Sequence, residues 1–174
     1  MVDCRGSCRS AVIGRQPGAN PGAANSMASP NRKDGDMNEA QKVSLAPACG
    51  LYCGICLDYV NGVCHGCGCT CGSCAAQWHA GRCAIAQCSR SAGLQSCADC
   101  EELPCTPLIQ FTAHPVWRTH APCIENLRRR RRIGTEAWLV EQDRYWQDPA
   151  KRRTWLELFQ ECSRRWQERN QGSQ

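Results

Sequence analysis

Long apolar runs are missing from this chain of 174 residues. None approaches the roughly 18 consecutive apolar residues that a membrane-spanning helix needs, which excludes a helical membrane protein. Met1 to Cys8 likewise lacks the continuous apolar stretch of a secretory signal. The sequence contains no phosphate-binding loop, no nucleophile elbow and no pair of carboxylates placed for acid–base work, so no catalytic constellation is found. Histidines number four, and a hydrolytic zinc usually needs histidine or carboxylate ligands beside an open position. A non-enzymatic role is therefore favoured.

What the chain has in excess is cysteine, with 17 in all. Cys49, Cys53, Cys56, Cys64, Cys67, Cys69, Cys71, Cys74, Cys83, Cys88, Cys97, Cys100 and Cys105 fall in one short segment. Four pairs are C-x-x-C: Cys53 with Cys56, Cys64 with Cys67, Cys71 with Cys74, and Cys97 with Cys100. Two intervening residues let the backbone turn so that both sulfurs reach one ion at about 2.3 Å, and two such turns close a tetrahedral site. In Cys64-His65-Gly66-Cys67-Gly68 the glycines permit a zinc-knuckle turn whose backbone N–H groups point at sulfur. All thirteen cysteines of the segment are candidate metal ligands, and His65 or His79 could replace a thiolate. A disulfide-stapled secreted domain fits less well, because the signal is lacking and an odd total leaves a thiol unpaired. The expected location is the reducing cytoplasm.

Energetics point the same way. Apolar residues in this segment are thin, chiefly Leu51, Tyr52, Ile55, Leu57, Tyr59, Ile85, Leu94 and Leu103. A core of that size supplies about 3–5 kcal/mol, whereas a structural zinc site supplies about 10–16 kcal/mol of apparent binding energy. Metal would dominate folding.

Composition divides the chain into three regions. Residues 1–46, rich in Gly, Ala, Ser, Asn and Pro, are expected to be a disordered N-terminal extension, and residues 1–36 read as translated from an early start codon upstream of Met37. Residues 47–107 are the expected metal core, built of loops and knuckle turns with little regular structure. Residues 108–174 are the expected helical extension packed on that core. There, Ile124, Leu127, the arginine run and Ile133 fit a helix ended by Gly134. Thr135 is expected to cap a second helix carrying Trp138, Leu139 and Trp146. Asp148-Pro149 opens a third, whose apolar stripe is Trp155, Phe159, Cys162 and Trp166. His114 and His120 fall in the linker from Phe111 to Cys123 and read as surface loop residues.

The formal charge of +5 divides unevenly, with +2 in the first region, −2 in the cysteine core and +5 in the helical part. Each divalent ion on four thiolates adds −2, so three such sites would bring the loaded chain to about −1. General nucleic-acid affinity does not follow from the sequence charge. Arg128 to Arg132 form a local basic run, but consecutive residues lie about 100° apart around a helix. A solvated surface is the simpler reading and an RNA or acidic-protein contact the sharper one. Trp138 and Tyr145 are too sparse for a base-stacking platform.

The motifs Pro47-Ala48-Cys49-Gly50-Leu51-Tyr52-Cys53-Gly54-Ile55-Cys56, Cys64-His65-Gly66-Cys67, Cys83 to Cys88, Gly93-Leu94, Cys97-Ala98-Asp99-Cys100 and Leu103-Pro104-Cys105 resemble, in order, domain of unknown function family 3795. The resemblance runs from about Pro47 to Gln142. It implies a small prokaryotic cysteine-rich protein that binds metal, with no activity to carry over. Similar proteins often continue with a further C-x-x-C ribbon where this chain has only Cys162, and they carry an apolar residue at the position of Arg130. Cys69, Cys71 and Cys74 lie where spacing varies among relatives.

Zinc is favoured by the knuckle turn and by the absence of the compact ferredoxin run. Iron and sulfide use the same ligands, so a 4Fe-4S cluster is the alternative. Cys49-x-x-x-Cys53-x-x-Cys56 also has the spacing of radical S-adenosylmethionine enzymes, but about sixty residues cannot supply the barrel such chemistry uses. The expectation is a zinc-stabilised module that binds a protein partner, against an iron–sulfur protein for electron transfer or redox sensing.

Overall fold

The computed structural model of the chain describes residues 44–68 and 83–171. The chain divides into two units, Met1–Asp36, which lies outside the described residues, and Met37–Gln174, to which everything below belongs.

The described residues are mostly helical and contain no strand. Six α-helices lie wholly within the described residues: α1 Leu57–Val60, α2 Ala84–Ser91, α3 Thr106–Thr112, α4 Cys123–Ile133, α5 Thr135–Trp146 and α6 Pro149–Gln171. Three single 3-10 turns stand among them, at Cys53–Ile55, Cys97–Asp99 and Arg118–His120. The cysteine-rich stretch thus carries more regular structure than its ligand spacing suggests. Two of its C-x-x-C pairs begin on a 3-10 turn, the tightest way to return the chain after two residues.

Both boundaries expected from composition shift. Ser44, Leu45 and Ala46 are buried, Leu45 and Ala46 against Trp138, Leu139 and Cys53, so packed structure begins before residue 47. The division at residue 107 falls inside α3, which starts at Thr106 with Pro107 in its first turn, where the missing N–H has no partner to lose. The expected disorder of the N-terminal extension concerns residues of which 1–43 lie outside those described.

The three long helices follow their sequence signals. Gly134, at φ +82°, ends α4. Asp148 accepts a hydrogen bond from the Ala150 N–H at 2.9 Å and opens α6, with Pro149 as its first residue. Thr135 is not a cap: Gly134 holds that position, and the Thr135 hydroxyl accepts from Arg130 instead.

Two apolar clusters hold the unit together. One joins Leu45, Ala46 and Cys53 to Trp138 and Leu139, with Tyr52, Tyr59 and Ile133 packed around them. The other joins Cys49, Ile85 and Ala98 to Leu108 and Leu127, flanked by Leu51, Leu103, Phe111 and Ile124. Each mixes residues from the cysteine loops with residues from the helical part, so the loops have no core of their own.

Away from the sulfurs, α6 lays its stripe on the turn around Arg118–His120. Trp155 stacks on Phe159, and Trp117 meets Phe159 and Trp166 at 6.0 Å. Cys162, in the middle of the stripe, is buried. His114 and His120 belong to this assembly and are not surface loop residues. His120 stacks on Phe111 with ring centroids 3.9 Å apart, and His114 Nδ1 accepts from the backbone N–H groups of Val116 and Trp117.

Candidate metal centre

The first group of sulfurs comes from two facing turns. Cys53 opens a 3-10 turn that Cys56 closes, its N–H bonding back to the Cys53 carbonyl. Across from it, the Gly66 N–H donates to Cys64 Sγ and the Cys67 N–H donates to Cys53 Sγ, both at 3.3 Å. Backbone N–H groups aimed at sulfur are what a knuckle supplies to a thiolate. Gly66 makes the turn possible, because its φ of +101° suits glycine and a Cβ there would strike the Ser44 carbonyl. Cys53 and Cys67 are hydrogen-bonded side chain to side chain, which raises the Cys53 thiol and lowers that of Cys67. Burial raises Cys56 in the same neighbourhood.

The second group is assembled from four separate pieces of chain. Cys49 is hydrogen-bonded by the thiol of Cys123, the first residue of α4. Cys49 is thereby lowered and Cys123 raised far above the ordinary thiol range. Cys97 is pushed up to about 12, first by burial and then by the nearby sulfurs of Cys49, Cys105, Cys100 and Cys88. Clustered thiols raise one another because each added thiolate repels the next, and a bound cation reverses that.

Positive charge is delivered into the loops by α4. Arg130 is buried and donates to the Pro47 carbonyl at 2.7 Å, the Ala46 carbonyl at 3.4 Å and the Thr135 hydroxyl at 3.3 Å. Its guanidinium carbon lies 5.2 Å from the ring centroid of Trp138. Arg131 donates to the carbonyls of Ala98, at 2.7 Å, and of Cys100. Arg128 pairs with Glu125 and Arg129 with Glu141. The arginine run therefore reaches several surroundings, as its spread around the helix predicts, and two of its members tie down cysteine loops. The arginine at position 130 packs inside because the carbonyls of Ala46 and Pro47 stand there to receive it.

Of the expected ligands, Cys49, Cys53 and Cys64 are buried, and Cys56, Cys67, Cys83, Cys88, Cys97, Cys100 and Cys105 are half-buried. Cys83 and Cys105 stand at the N-caps of α2 and α3. Cys69, Cys71, Cys74 and His79 lie outside the described residues. His65 is exposed. Among the described residues, no three His, Cys, Asp or Glu side chains form a group that could hold a metal ion as they stand. The donors do fit a thiophilic ion in kind, being thiols drawn into contact by knuckle turns with N–H groups directed at sulfur. Sequence reasoning misses Cys123. It belongs to no C-x-x-C pair, yet Cys123, Leu127 and Arg130 recur at spacings of four and three and share the buried face of α4.

Comparison with protein families, with curated proteins and with solved structures returned no match. The resemblance to domain of unknown function family 3795 accordingly rests on the sequence motifs alone.

Proposed function

We propose that this chain is a metal–thiolate protein in which the ion, zinc before iron, has a structural role and the folded unit serves as an interaction module for another protein. The observation that carries this reading is the contact of Cys53 with Cys67, where the knuckle turn at Cys64–Gly68 directs the Gly66 and Cys67 N–H groups at the sulfurs of Cys64 and Cys53. Cys53, Cys56, Cys64 and Cys67 would hold one ion, which supplies a cross-link that the small apolar clusters do not. The exposed apolar side chains Val60 and Val63, beside the knuckle, and Val140 and Tyr145 on α5 support a protein partner. Contact with RNA through Arg128 to Arg132 draws less support, because Arg128 to Arg131 are engaged within the fold. Among the described residues no helix is long and apolar enough to cross a membrane, and a reducing compartment such as the cytoplasm suits the twelve described free thiols.

Elemental analysis and an absorption spectrum of anaerobically purified protein test the reading. Zinc in a colourless sample is the expected result. A brown protein with absorption near roughly 400 nm that bleaches on reduction would replace zinc by an iron–sulfur cluster. A folded sample without any metal would overturn the proposal.

A further inference from the structure

Cys49 and Cys123 are 74 positions apart in sequence, yet the fold takes several measures to bring them together. Gly50 lies so close to the first turn of α4 that a Cβ on it would stand 2.5 Å from the Cys123 carbonyl oxygen and 2.8 Å from Leu127 Cγ. Its φ of +87° further restricts the position to glycine. Asn126 Nδ2 donates to the Gly50 carbonyl at 2.9 Å, fastening the loop to the helix. Cys123 is 0% exposed. Two thiolates on one tetrahedral zinc lie about 3.8 Å apart, given bonds of about 2.3 Å, and a hydrogen-bonded pair of thiols has a similar separation.

An independent observation concerns charge. Arg130 is 4% exposed, its hydrogen-bond acceptors are neutral carbonyls and a hydroxyl, and its Nε has no partner. A buried guanidinium needs an anion nearby. Burial pushes the Arg130 guanidinium down, and Cys49, then Asp99 and Cys97, act against that. A metal with several thiolates is net negative and stays so at neutral pH, which isolated thiols do not.

We infer that Cys123 is a ligand of a second metal centre, sharing one thiophilic ion with Cys49 and drawing its remaining donors from the thiols around Cys97, and that Arg130 is the built-in counter-charge of that centre. The inference rests on the metal–thiolate reading above and adds to it a ligand from outside the cysteine-rich segment. Cys88, Cys97, Cys100 and Cys105 supply more sulfurs than one four-coordinate ion takes, and because among the described residues no three side chains form such a group as they stand, binding of the ion requires side chains to rotate.

The test uses the full chain loaded with cadmium, whose nuclear spin couples to the Hβ protons of the cysteines that bind it. The Hβ protons of Cys49 and Cys123 are expected to correlate with one cadmium resonance, and those of Cys53 and Cys67 with another. If cadmium binds and Cys123 shows no coupling, the inference fails and the metal–thiolate reading survives. If the chain takes up neither zinc nor cadmium, both fail. Cys123→Ser is expected to lose one equivalent of zinc and Cys53→Ser a different one, whereas Cys162→Ser keeps the wild-type count. Arg130→Met is expected to weaken retention of the second ion against a competing chelator by about 10- to 100-fold. Unchanged retention would remove Arg130 from the assignment, and because the coupling experiment uses wild-type protein, a variant that fails to fold does not rescue the inference.

Discussion

The loops on one side of α4 and the aromatic assembly under α6 solve the same problem with opposite materials. In the loops, short turns present sulfur and backbone carbonyls, and arginines from α4 reach in to satisfy the carbonyls. Under α6, rings stack on rings: Phe111 on His120 and Trp155 on Phe159, with Trp117 among them. Arg118 adds an ion pair to Glu161 at 2.7 Å. Loops of this kind have little apolar area to bury, so polar bonds, joined on the proposed reading by a metal, would replace what the rings supply elsewhere. On the proposed reading stability is unevenly distributed, with one half answerable to thiol chemistry and the other to packing.

Chelation should separate the two halves most sharply. Stripping the metal is expected to unfold the loops with a loss of order 10 kcal/mol of apparent binding energy per site. Phe159→Ala, a half-buried truncation, should cost about 2 kcal/mol and leave the metal count unchanged. Circular dichroism and thermal melts read both. A melt that is indifferent to chelator, or a Phe159 variant that sheds metal, would show that the two halves are not separately held.

Arg130 is next in size, because it is the buried donor that α4 sends into the loop half of the comparison. Arg130→Leu leaves the carbonyls of Pro47 and Ala46 without their donor, and about 2–4 kcal/mol of destabilisation is expected. Arg128→Leu, which loses only an exposed pair with Glu125, should cost well under about 1 kcal/mol. Equal effects in denaturant melts would mean that the buried hydrogen bonds of Arg130 contribute nothing special.

A pH-dependent effect of about the size of the Phe159 truncation or less lies among the rings. Burial, with His114 adding to it, holds His120 down at about 4 against an ordinary value of 6.5. Between those values the unfolded chain takes up a proton that the folded chain refuses. Stability therefore falls as pH drops from about 6.5 to about 4 and levels off below, by about 1–2 kcal/mol after discounting for partial exposure. The difference between wild type and His120→Phe isolates the histidine from other groups that titrate in the same range. Melting temperatures of the two should diverge on acidification, with the wild type losing more; parallel profiles would remove His120 from the account.

Local chemistry makes α4, α5 and α6 legible in the sequence. Gly134 and Asp148-Pro149 act on their immediate neighbours, and the stripe of α6 follows from spacing within one helix. Legibility ends where the partner is remote. Cys123 meets Cys49, and Arg130 bonds to Pro47 across 83 positions; the spacing of Cys123, Leu127 and Arg130 puts them on one face of α4, but nothing local names the partners that face meets. His114 and His120 pass for surface residues for a related reason, since only docking of α6 turns their linker inward. In the cysteine segment the spacing shows which turns form, but not which sulfurs meet.

The bond from Asn126 to Gly50 joins positions 76 apart and fastens the neck of a loop that contains nearly every candidate ligand. Closing a loop of that length costs about 4 kcal/mol in chain entropy beyond a constant term. The cysteine-rich segment is thus unlike a zinc finger that can be cut out and transplanted, because its mouth is shut by a helix encoded downstream. A nascent chain halted before α4 would hold the expected thirteen cysteines and still lack the clasp that organises them.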